Sequence, residues 1–284
     1  MAETNDRPKA MLERWPVRIR QLQLLRRELV TPRMLRITLG GDEHVGFESH
    51  IADEHVKLLF PSTEAELGRI PVADGDRLRW PKPLVPSRDY TVRSYDPQAG
   101  EVEIDVVMHE HGVASTWARE APIGADIWLA GPPRGIRIPA EFTWQCYLGD
   151  ETALPAIARR LAELDASVTG LAVIEINDDA ERQPLVAPPG VEVRWLTRDG
   201  APAGTTTLLA DAARTIEIPS GGGAYVWYGG EQAAIKPLRA WVKAAGLGAG
   251  EFDFTGYWRR GAHGNQLSAR DVAHALKHLL HIPH

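Results

Sequence analysis

The residues with the clearest chemical potential lie in one short run, residues 88–93, with the sequence Arg-Asp-Tyr-Thr-Val-Arg. Strand alternation would send Arg88, Tyr90 and Val92 to one face and the other three side chains to the opposite face. A flavin dinucleotide needs this mixture: a ring beside the isoalloxazine, a hydroxyl or backbone N–H near N5, and a cation for the pyrophosphate. The alternative is an edge strand that carries surface charges.

A second candidate is the segment from His109 to Ala118, which follows a predicted strand and opens a short predicted helix. Backbone N–H groups at a helix start form an anion site, and Ser115 and Thr116 add hydroxyl donors. The alternative is a capped helix whose Trp117 belongs to the core. His109 and His111 lack a third ligand, so the pair does not predict a metal site.

Two further segments end predicted strands in the second half of the chain. One is Gly149-Asp150-Glu151-Thr152, and the other is Gly229-Gly230-Glu231. Such positions suit a ligand crevice, although no G-x-G-x-x-G stands here. Asp150 and Glu151 suit helix caps and place negative charge where a pyrophosphate would sit, which indicates weak binding of a nicotinamide cofactor.

Isolated cations form a third group. Lys57 lies inside an apolar strand, where a lone lysine is unusual unless it faces a cleft. Arg134 follows a Gly-Pro-Pro turn, and Arg259 and Arg260 follow the last predicted strand. Together they would attract a bulky anionic ligand.

The elements that must position these residues differ between the two halves. Residues 17–139 show about six predicted strands, with strict alternation from Glu101 to Val106, and one helix at Val113 to Arg119. This pattern predicts a six-stranded antiparallel barrel, with a loop from Pro61 to Pro86. Strands and helices then alternate up to a final helix at Ser268 to Leu280, which predicts a parallel sheet covered by helices. We expect domains at residues 15–140 and 141–284.

Composition narrows the class of protein. The chain has 284 residues and a net charge of −6, which argues against nucleic acid as a partner. Its single cysteine, Cys146, lies in a predicted buried strand and is expected to be an inert core thiol, unable to form a disulfide or hold an iron–sulfur cluster. Neither a signal peptide nor a membrane-spanning segment is predicted, so we expect a cytoplasmic protein.

Taken in order, these motifs resemble those of the siderophore-interacting protein family, FAD-dependent ferric-siderophore reductases of the ferredoxin-reductase superfamily. The shared elements include the Arg-x-Tyr-Thr-x-Arg run and Gly-Asp-Glu-Thr-Ala-Leu-Pro at residues 149–155. The resemblance implies an FAD-binding barrel followed by an NAD(P)H-binding-like α/β domain. It implies a ferric siderophore bound at Lys57, Arg134, Arg259 and Arg260, and a nicotinamide region at Gly149, Asp150, Glu151, Thr152, Gly229, Gly230 and Glu231. The implied FAD contacts are Arg88, Asp89, Tyr90, Thr91, Val92, Arg93, His109, His111, Val113, Ala114, Ser115, Thr116 and Trp117.

The function expected from this resemblance is reduction of Fe(III)-siderophore by FAD with release of Fe(II), and no side chain need act as a general base. Two alternatives remain: a protein that binds the siderophore without reducing it, and a general NAD(P)H:flavin reductase. The donor is left open between NADPH, NADH and ferredoxin. Arg182 and Arg198 would suit a 2′-phosphate, whereas Glu175, Asp178 and Asp179 would favour a bare ribose. We expect a monomer.

Overall fold

The computed structural model describes residues 7–110 and 112–261. The first half contains two helices, α1 (Glu64–Leu67) and α2 (Val113–Glu120). Its strands are β1 (Met11–Arg14), β2 (Ile19–Thr31), β3 (Met34–Gly40), β4 (His55–Leu59), β5 (Val72–Asp74), β6 (Arg77–Arg79), β7 (Ser87–Thr91), β8 (Ser94–Asp96), β9 (Glu101–Val107), β10 (Asp126–Ala130) and β11 (Arg134–Arg137).

Seven of these strands form one antiparallel sheet in the order β7-β4-β10-β2-β3-β9-β8. The sequence predicted six strands, and the count differs because residues 87–96 form two strands with a break at Val92 and Arg93. Those two strands lie at opposite ends of the sheet, and the Arg93 N–H donates to Glu103 O at 2.9 Å between them. The sheet therefore curls around a core that includes Leu22, Ile37 and Ile104.

The predicted loop from Pro61 to Pro86 is wrong in part, because it contains α1 and the β5–β6 hairpin. Thr63 Oγ1 accepts from Glu66 N at 3.2 Å and starts α1. The hairpin turns at Gly75, whose φ of 60° is a left-handed conformation that favours glycine. We call residues 61–86 the excursion, since they leave the barrel sheet between β4 and β7.

The second half forms a parallel sheet of five strands in the order β14-β13-β12-β15-β16, with a buried core on each face. None of the described helices is long and apolar enough to cross a membrane. The predicted final helix, Ser268 to Leu280, lies outside the described residues. The strands are β12 (Trp144–Asp150), β13 (Thr169–Ile176), β14 (Val191–Thr197), β15 (Ala224–Glu231) and β16 (Phe252–Trp258), and the helices are α3 (Leu154–Glu163), α4 (Leu208–Arg214) and α5 (Ile235–Ala244).

Cys146 lies in β12 and is fully buried, as the sequence predicted. Burial raises the pKa of its thiol to about 12. Because the thiolate is the nucleophilic form, this cysteine is inert at neutral pH.

Two arginines of α3 join the sheets. Arg159 Nη1 lies 3.0 Å from Glu54 Oε1 and 3.1 Å from Val92 O, both in the barrel half. Arg160 Nη2 lies 3.5 Å from Asp53 Oδ1 and 3.3 Å from the backbone oxygen of Ile136. The Glu54 side chain is fully buried, and Arg159 is the cation that pairs with it.

We expect Arg159→Met to lower the free energy of unfolding by about 3 kcal/mol, because it leaves the Glu54 carboxylate buried without a cation. Urea denaturation would measure the change. Arg182→Met is the matched control: Arg182 pairs with Asp179 at the surface, and its loss should cost less than about 1 kcal/mol. Equal stability of the two variants would contradict the assignment of Arg159 as the anchor between the sheets.

Candidate functional site

Strand β7 carries the predicted chemical run, and its side chains alternate as the sequence predicts. Tyr90 lies opposite Val56, and Arg88 lies opposite Leu58, on the face of β4 that contributes to the barrel core. Arg88 Nη1 donates to Ser87 O at 2.7 Å. Burial raises the pKa of Tyr90, so its hydroxyl stays protonated at neutral pH.

The opposite face of the run points elsewhere. Asp89 lies beside Lys57, and the Thr91 side chain lies near the Tyr257 hydroxyl of β16, where it opposes the rise in the Tyr257 pKa that burial causes. Arg93 Nε lies 3.8 Å from Asp105 Oδ2. The structure therefore separates the side chain of Arg93 from that of Arg88, and only Arg88 belongs to the side of the strand that carries Tyr90.

The start of α2 lies close to Arg88. Gly112 is its N-cap residue and provides no side-chain cap. Burial lowers the pKa of His109, and Arg88 lowers it further, so the neutral imidazole lies within electrostatic reach of the guanidinium. Because the first N–H groups of a helix lack intrahelical acceptors, this place offers a cation and backbone donors together.

The other side chains of this segment have different roles. Ser115 Oγ donates to Val107 O at 3.3 Å and accepts from His109 N at 3.3 Å, so it ties the helix to β9. Trp117 packs on the barrel core, with its ring edge-to-face against Phe60 at 5.9 Å, as the alternative interpretation held. Thr116 is exposed, and His111 lies outside the described residues.

At the carboxyl ends of the parallel strands, Asp150 is buried and hydrogen-bonded on both oxygens. Its Oδ1 accepts from Thr152 N at 2.9 Å, and its Oδ2 accepts from Trp258 Nε1 at 2.7 Å and from Glu231 N at 3.1 Å. A Cβ at Gly230 would lie 2.8 Å from the same Oδ2. The protein's own side chains therefore fill this part of the crevice, and Asp150 links the carboxyl ends of β12, β15 and β16.

The two other predicted glycines serve packing. A Cβ at Gly149 would lie 2.6 Å from Ala153 Cβ, and one at Gly229 would lie 2.6 Å from the Trp227 ring. Both sites are therefore filled by the chain itself.

Glu151 forms a buried bidentate pair with Arg198, with distances of 2.6 and 2.8 Å. Arg198 Nη1 also lies 3.6 Å from Glu175 Oε1, and Glu175 accepts from Thr206 Oγ1 at 2.9 Å. Arg198 is thus committed to two carboxylates, which removes the main support for a 2′-phosphate site there. Arg182 is exposed and pairs with Asp179 at 2.8 Å.

The predicted substrate cations fall into two groups. Lys57 Nζ lies 2.6 Å from Asp89 Oδ1, and both residues line a groove of about 260 Å3. We call it the Lys57 groove. Arg134 follows Pro133, which lines the groove, and its charge adds to desolvation in lowering the pKa of His55, a half-buried lining residue.

The second group lies at the carboxyl edge of the parallel sheet. Arg260 N donates to Glu231 Oε1 at 3.1 Å, and the side chains of Arg259 and Arg260 are exposed. Within residues 7–110 and 112–261, neither arginine lines the Lys57 groove. The charges of Lys57 and Arg134 thus both act on His55, whereas the convergence of all four cations stays a prediction.

Sequence reasoning missed the three groove residues that come from the excursion, Arg77, Leu78 and Trp80. A signal was present. Asp74-Gly75 between short strand-like runs is a typical hairpin turn, and it would have identified β5 and β6.

Models of two families match the chain. One is described as a siderophore-interacting FAD-binding domain and matches residues 23–136. The other is described as siderophore-interacting protein and matches residues 142–261. Between them, the two matches include every described segment of the candidate site.

Two curated relatives have enzyme names. The ferric vibriobactin reductase of Vibrio cholerae is 32% identical over 205 residues, which cover 71% of this chain and 74% of the relative. The NADPH-dependent ferric-chelate reductase of Escherichia coli is 32% identical over 246 residues, which cover 85% of this chain and 93% of the relative.

Solved structures agree with the fold. A siderophore utilization protein from T. fusca is 40% identical with a TM-score of 0.83, covering 90% of this chain and 98% of that one. A ferredoxin reductase of carbazole 1,9a-dioxygenase, at 13% identity and a TM-score of 0.60, shares the fold and covers 86% of this chain and 70% of its own. The chain belongs to the siderophore-interacting protein family.

Proposed function

We propose that this protein is an FAD-dependent ferric-siderophore reductase that releases Fe(II) from the chelate. The observation that carries the proposal is the match of residues 23–136 to a siderophore-interacting FAD-binding domain. That match includes the strand carrying Arg88 and Tyr90, and the helix start at Gly112. Two relatives that match most of this chain are named as a ferric vibriobactin reductase and an NADPH-dependent ferric-chelate reductase, and these names support the same chemistry.

The residues present fit FAD. A diphosphate needs a cation and several N–H donors, and the Arg88 guanidinium beside the uncapped start of α2 supplies both. Tyr90 offers an aromatic ring on the same face of β7. Asp89 lies on the opposite face with Lys57, which supports a role toward the substrate more than toward FAD.

The remaining predicted FAD contacts stay proposals of unequal support. The backbone N–H groups of Val113 and Ala114 support the phosphate assignment, whereas Ser115 and Trp117 support the fold around it. Thr91 ends the strand after Tyr90, Val92 follows at the break, and Arg93 would act from the opposite face.

Bound FAD would accept two electrons and pass them on singly, which suits the one-electron reduction of Fe(III). The chain's own task is to hold the cofactor, exclude water from it and attract the anionic chelate. Lys57 and Arg134 would attract the chelate through local positive charge, although the net charge of the chain is −6. Arg259 and Arg260 would add positive charge at the carboxyl edge of the parallel sheet.

NAD(P)H is the proposed electron donor, as the name of the relative from E. coli indicates for that protein. The nicotinamide region would be Gly149 to Thr152 with Gly229 to Glu231, a place supported by its position at the carboxyl ends of parallel strands. Ferredoxin remains an alternative donor.

A cytoplasmic location, a monomeric state and a domain division at residues 15–140 and 141–284 complete the proposal. The two separate sheets support the division.

We expect Arg88→Ala to weaken FAD binding by about one to two decades, because it removes a charge-assisted contact worth roughly 1.5–3 kcal/mol. Titration of flavin-free protein with FAD, followed by flavin fluorescence, would measure the change. Arg26→Ala is the control, since Arg26 pairs with Glu101 on the exposed barrel surface. Parent-like affinity in the Arg88 variant would place the cofactor elsewhere.

Reductase activity should appear when protein reduced under anaerobic conditions is mixed with a ferric siderophore. The flavin absorbance should recover, and a colorimetric Fe(II) chelator should trap two iron ions for each flavin, because FAD carries two electrons. Binding without recovery of absorbance would support the siderophore-binding alternative. Dilution-dependent loss of reduced flavin would support the general flavin reductase.

Nicotinamide should reduce the flavin with weak saturation. Asp150 is surrounded by protein donors and Glu151 is neutralised by Arg198, so the first strand-to-helix turn offers little to a cofactor pyrophosphate. We expect half-saturation by NADPH or NADH above about 100 µM, a binding free energy weaker than about −5.5 kcal/mol. Stopped-flow bleaching would measure it, and saturation at a few micromolar would refute the argument.

A further inference from the structure

The loop after β13, residues 177–182, is the expected contact of this fold with the ribose of a nicotinamide cofactor. In sheets of this kind, an acidic residue after the second strand binds the ribose 2′-hydroxyl of NADH, whereas an arginine nearby accepts the 2′-phosphate of NADPH. β13 is the second strand of the parallel sheet in chain order, and it lies between β12 and β14. The charges around this loop therefore bear on the choice between two donors that differ by one phosphate group.

The loop is held in place by both halves of the chain. Glu181 is buried and accepts from Thr31 Oγ1, at the end of β2, at 2.6 Å, which ties the loop to the barrel half. Asp178 Oδ1 accepts from Ala180 N at 2.9 Å, and Asp178 Oδ2 accepts from Asn177 Nδ2 at 2.6 Å. Because a rearrangement of the loop would break these contacts, a ligand meets its carboxylates in fixed positions.

Arg198, which follows β14, is not available to a phosphate. Its guanidinium lies 2.6 and 2.8 Å from the Glu151 carboxylate and 3.6 Å from Glu175 Oε1. Its Nε is also buried, without a hydrogen-bond partner among residues 7–110 and 112–261, so a ligand would not reach it. The charges of Glu151, Glu175 and Asp150 all act on this one guanidinium. Three carboxylates around one cation leave a net negative charge, which opposes an anion.

The exposed charges of the loop lead to the same result. Arg182 Nε lies 2.8 Å from Asp179 Oδ1, so the one cation of residues 177–182 is already paired. Asp178 and Glu181 add two further carboxylates to the loop. A phosphate monoester carries a charge of about −1.5 to −2 at neutral pH, and it would have to displace Asp179 from Arg182. A ribose diol is neutral and donates hydrogen bonds that a carboxylate accepts.

We propose that NADH, rather than NADPH, is the preferred nicotinamide donor of this protein, and that Asp178 and Asp179 determine the preference. The inference rests on the proposed reductase function and deepens it by naming the donor. Both nicotinamides still saturate weakly, and the preference lies in the ratio of their rates. The relative from E. coli is named as NADPH-dependent, so the inference distinguishes this chain from that protein.

Anaerobic stopped-flow bleaching of flavin-loaded protein measures the second-order rate constant for each donor. NADH should reduce the parent protein at least about tenfold faster than NADPH at low salt, and the ratio should fall as salt screens the repulsion of the 2′-phosphate. A 2′-phosphate held by arginines would give the opposite salt dependence and would overturn the proposal. As an equilibrium measurement, 5′-AMP should compete with NADH better than 2′,5′-ADP, which differs by the 2′-phosphate alone.

Asp179→Asn should raise the rate constant for NADPH about three- to tenfold, because it removes one charge and releases Arg182. The rate constant for NADH should change by less than about twofold, since the amide oxygen still accepts a hydrogen bond. Asp165→Asn is the matched control. Asp165 is exposed at the amino edge of the same sheet, where it accepts from Ser167 N at 2.8 Å, and its loss should leave both rate constants unchanged. Equal gains for NADPH in the two variants would assign the preference to net charge and overturn the role of the loop.

Photoreduced protein mixed with a ferric siderophore tests the reductase function separately. If this protein releases Fe(II), but NADPH bleaches the flavin as fast as NADH or neither nicotinamide bleaches it, the donor inference is refuted and the reductase stands. If NADH bleaches the flavin faster than NADPH but the reduced protein releases no Fe(II), the reductase function is refuted and the donor preference stands.

Discussion

The placement of strands β4 and β7 at the candidate site depends on two arginines of helix α3, whose side chains reach from the parallel-sheet half to the barrel. Arg159 holds Glu54 and the backbone oxygen of Val92, and Arg160 holds Asp53 and the backbone oxygen of Ile136. Asp53 and Glu54 directly precede β4, and Val92 directly follows β7. The helix therefore fixes the ends of the two strands that carry Lys57 and Arg88. Because unpaired buried charge is costly, a packing of α3 that broke these contacts would be strongly destabilised.

The same constraint explains the acidic residues at the carboxyl edge of the parallel sheet. In sequence, Asp150 and Glu151 suggest repulsion of a phosphate. In the structure, Asp150 collects N–H donors from two other strand ends, and Arg198 neutralises Glu151. These carboxylates complete the fold where a glycine-rich loop would otherwise face a ligand. For a nicotinamide cofactor we therefore expect an absence of attraction at this edge more than repulsion.

The sequence predicts most of the fold because local periodicity carries it: alternation marks β9, and strand–helix alternation marks the parallel sheet. It also predicts the face of β7 that holds Arg88 and Tyr90. The pairing of Glu151 with Arg198, 47 residues apart, has no local signal and depends on which strands become neighbours. The break at Val92 and Arg93 likewise arises from closure of the curled sheet. Trp80 was missed because only its hairpin, not its own surroundings, shows a pattern.

The excursion separates the groove wall from the part of the barrel that is proposed to hold the cofactor. The curled sheet and the contacts of Arg159 and Arg160 hold the proposed cofactor region through buried residues. Changes there would therefore disturb the fold. The β5–β6 hairpin touches the barrel through a small apolar cluster and its tip, and its charged strand residues are exposed. A substitution at Arg77 or Trp80 would therefore alter the groove wall and leave the contacts of Arg159 and Arg160 intact. Asp89 links the two regions, because it opposes Lys57 in the groove while belonging to the same strand as Arg88. Under the proposed function, an entering anion would compete with Asp89 for the Lys57 ammonium, and we expect this competition to favour chelates of high negative charge over neutral ones.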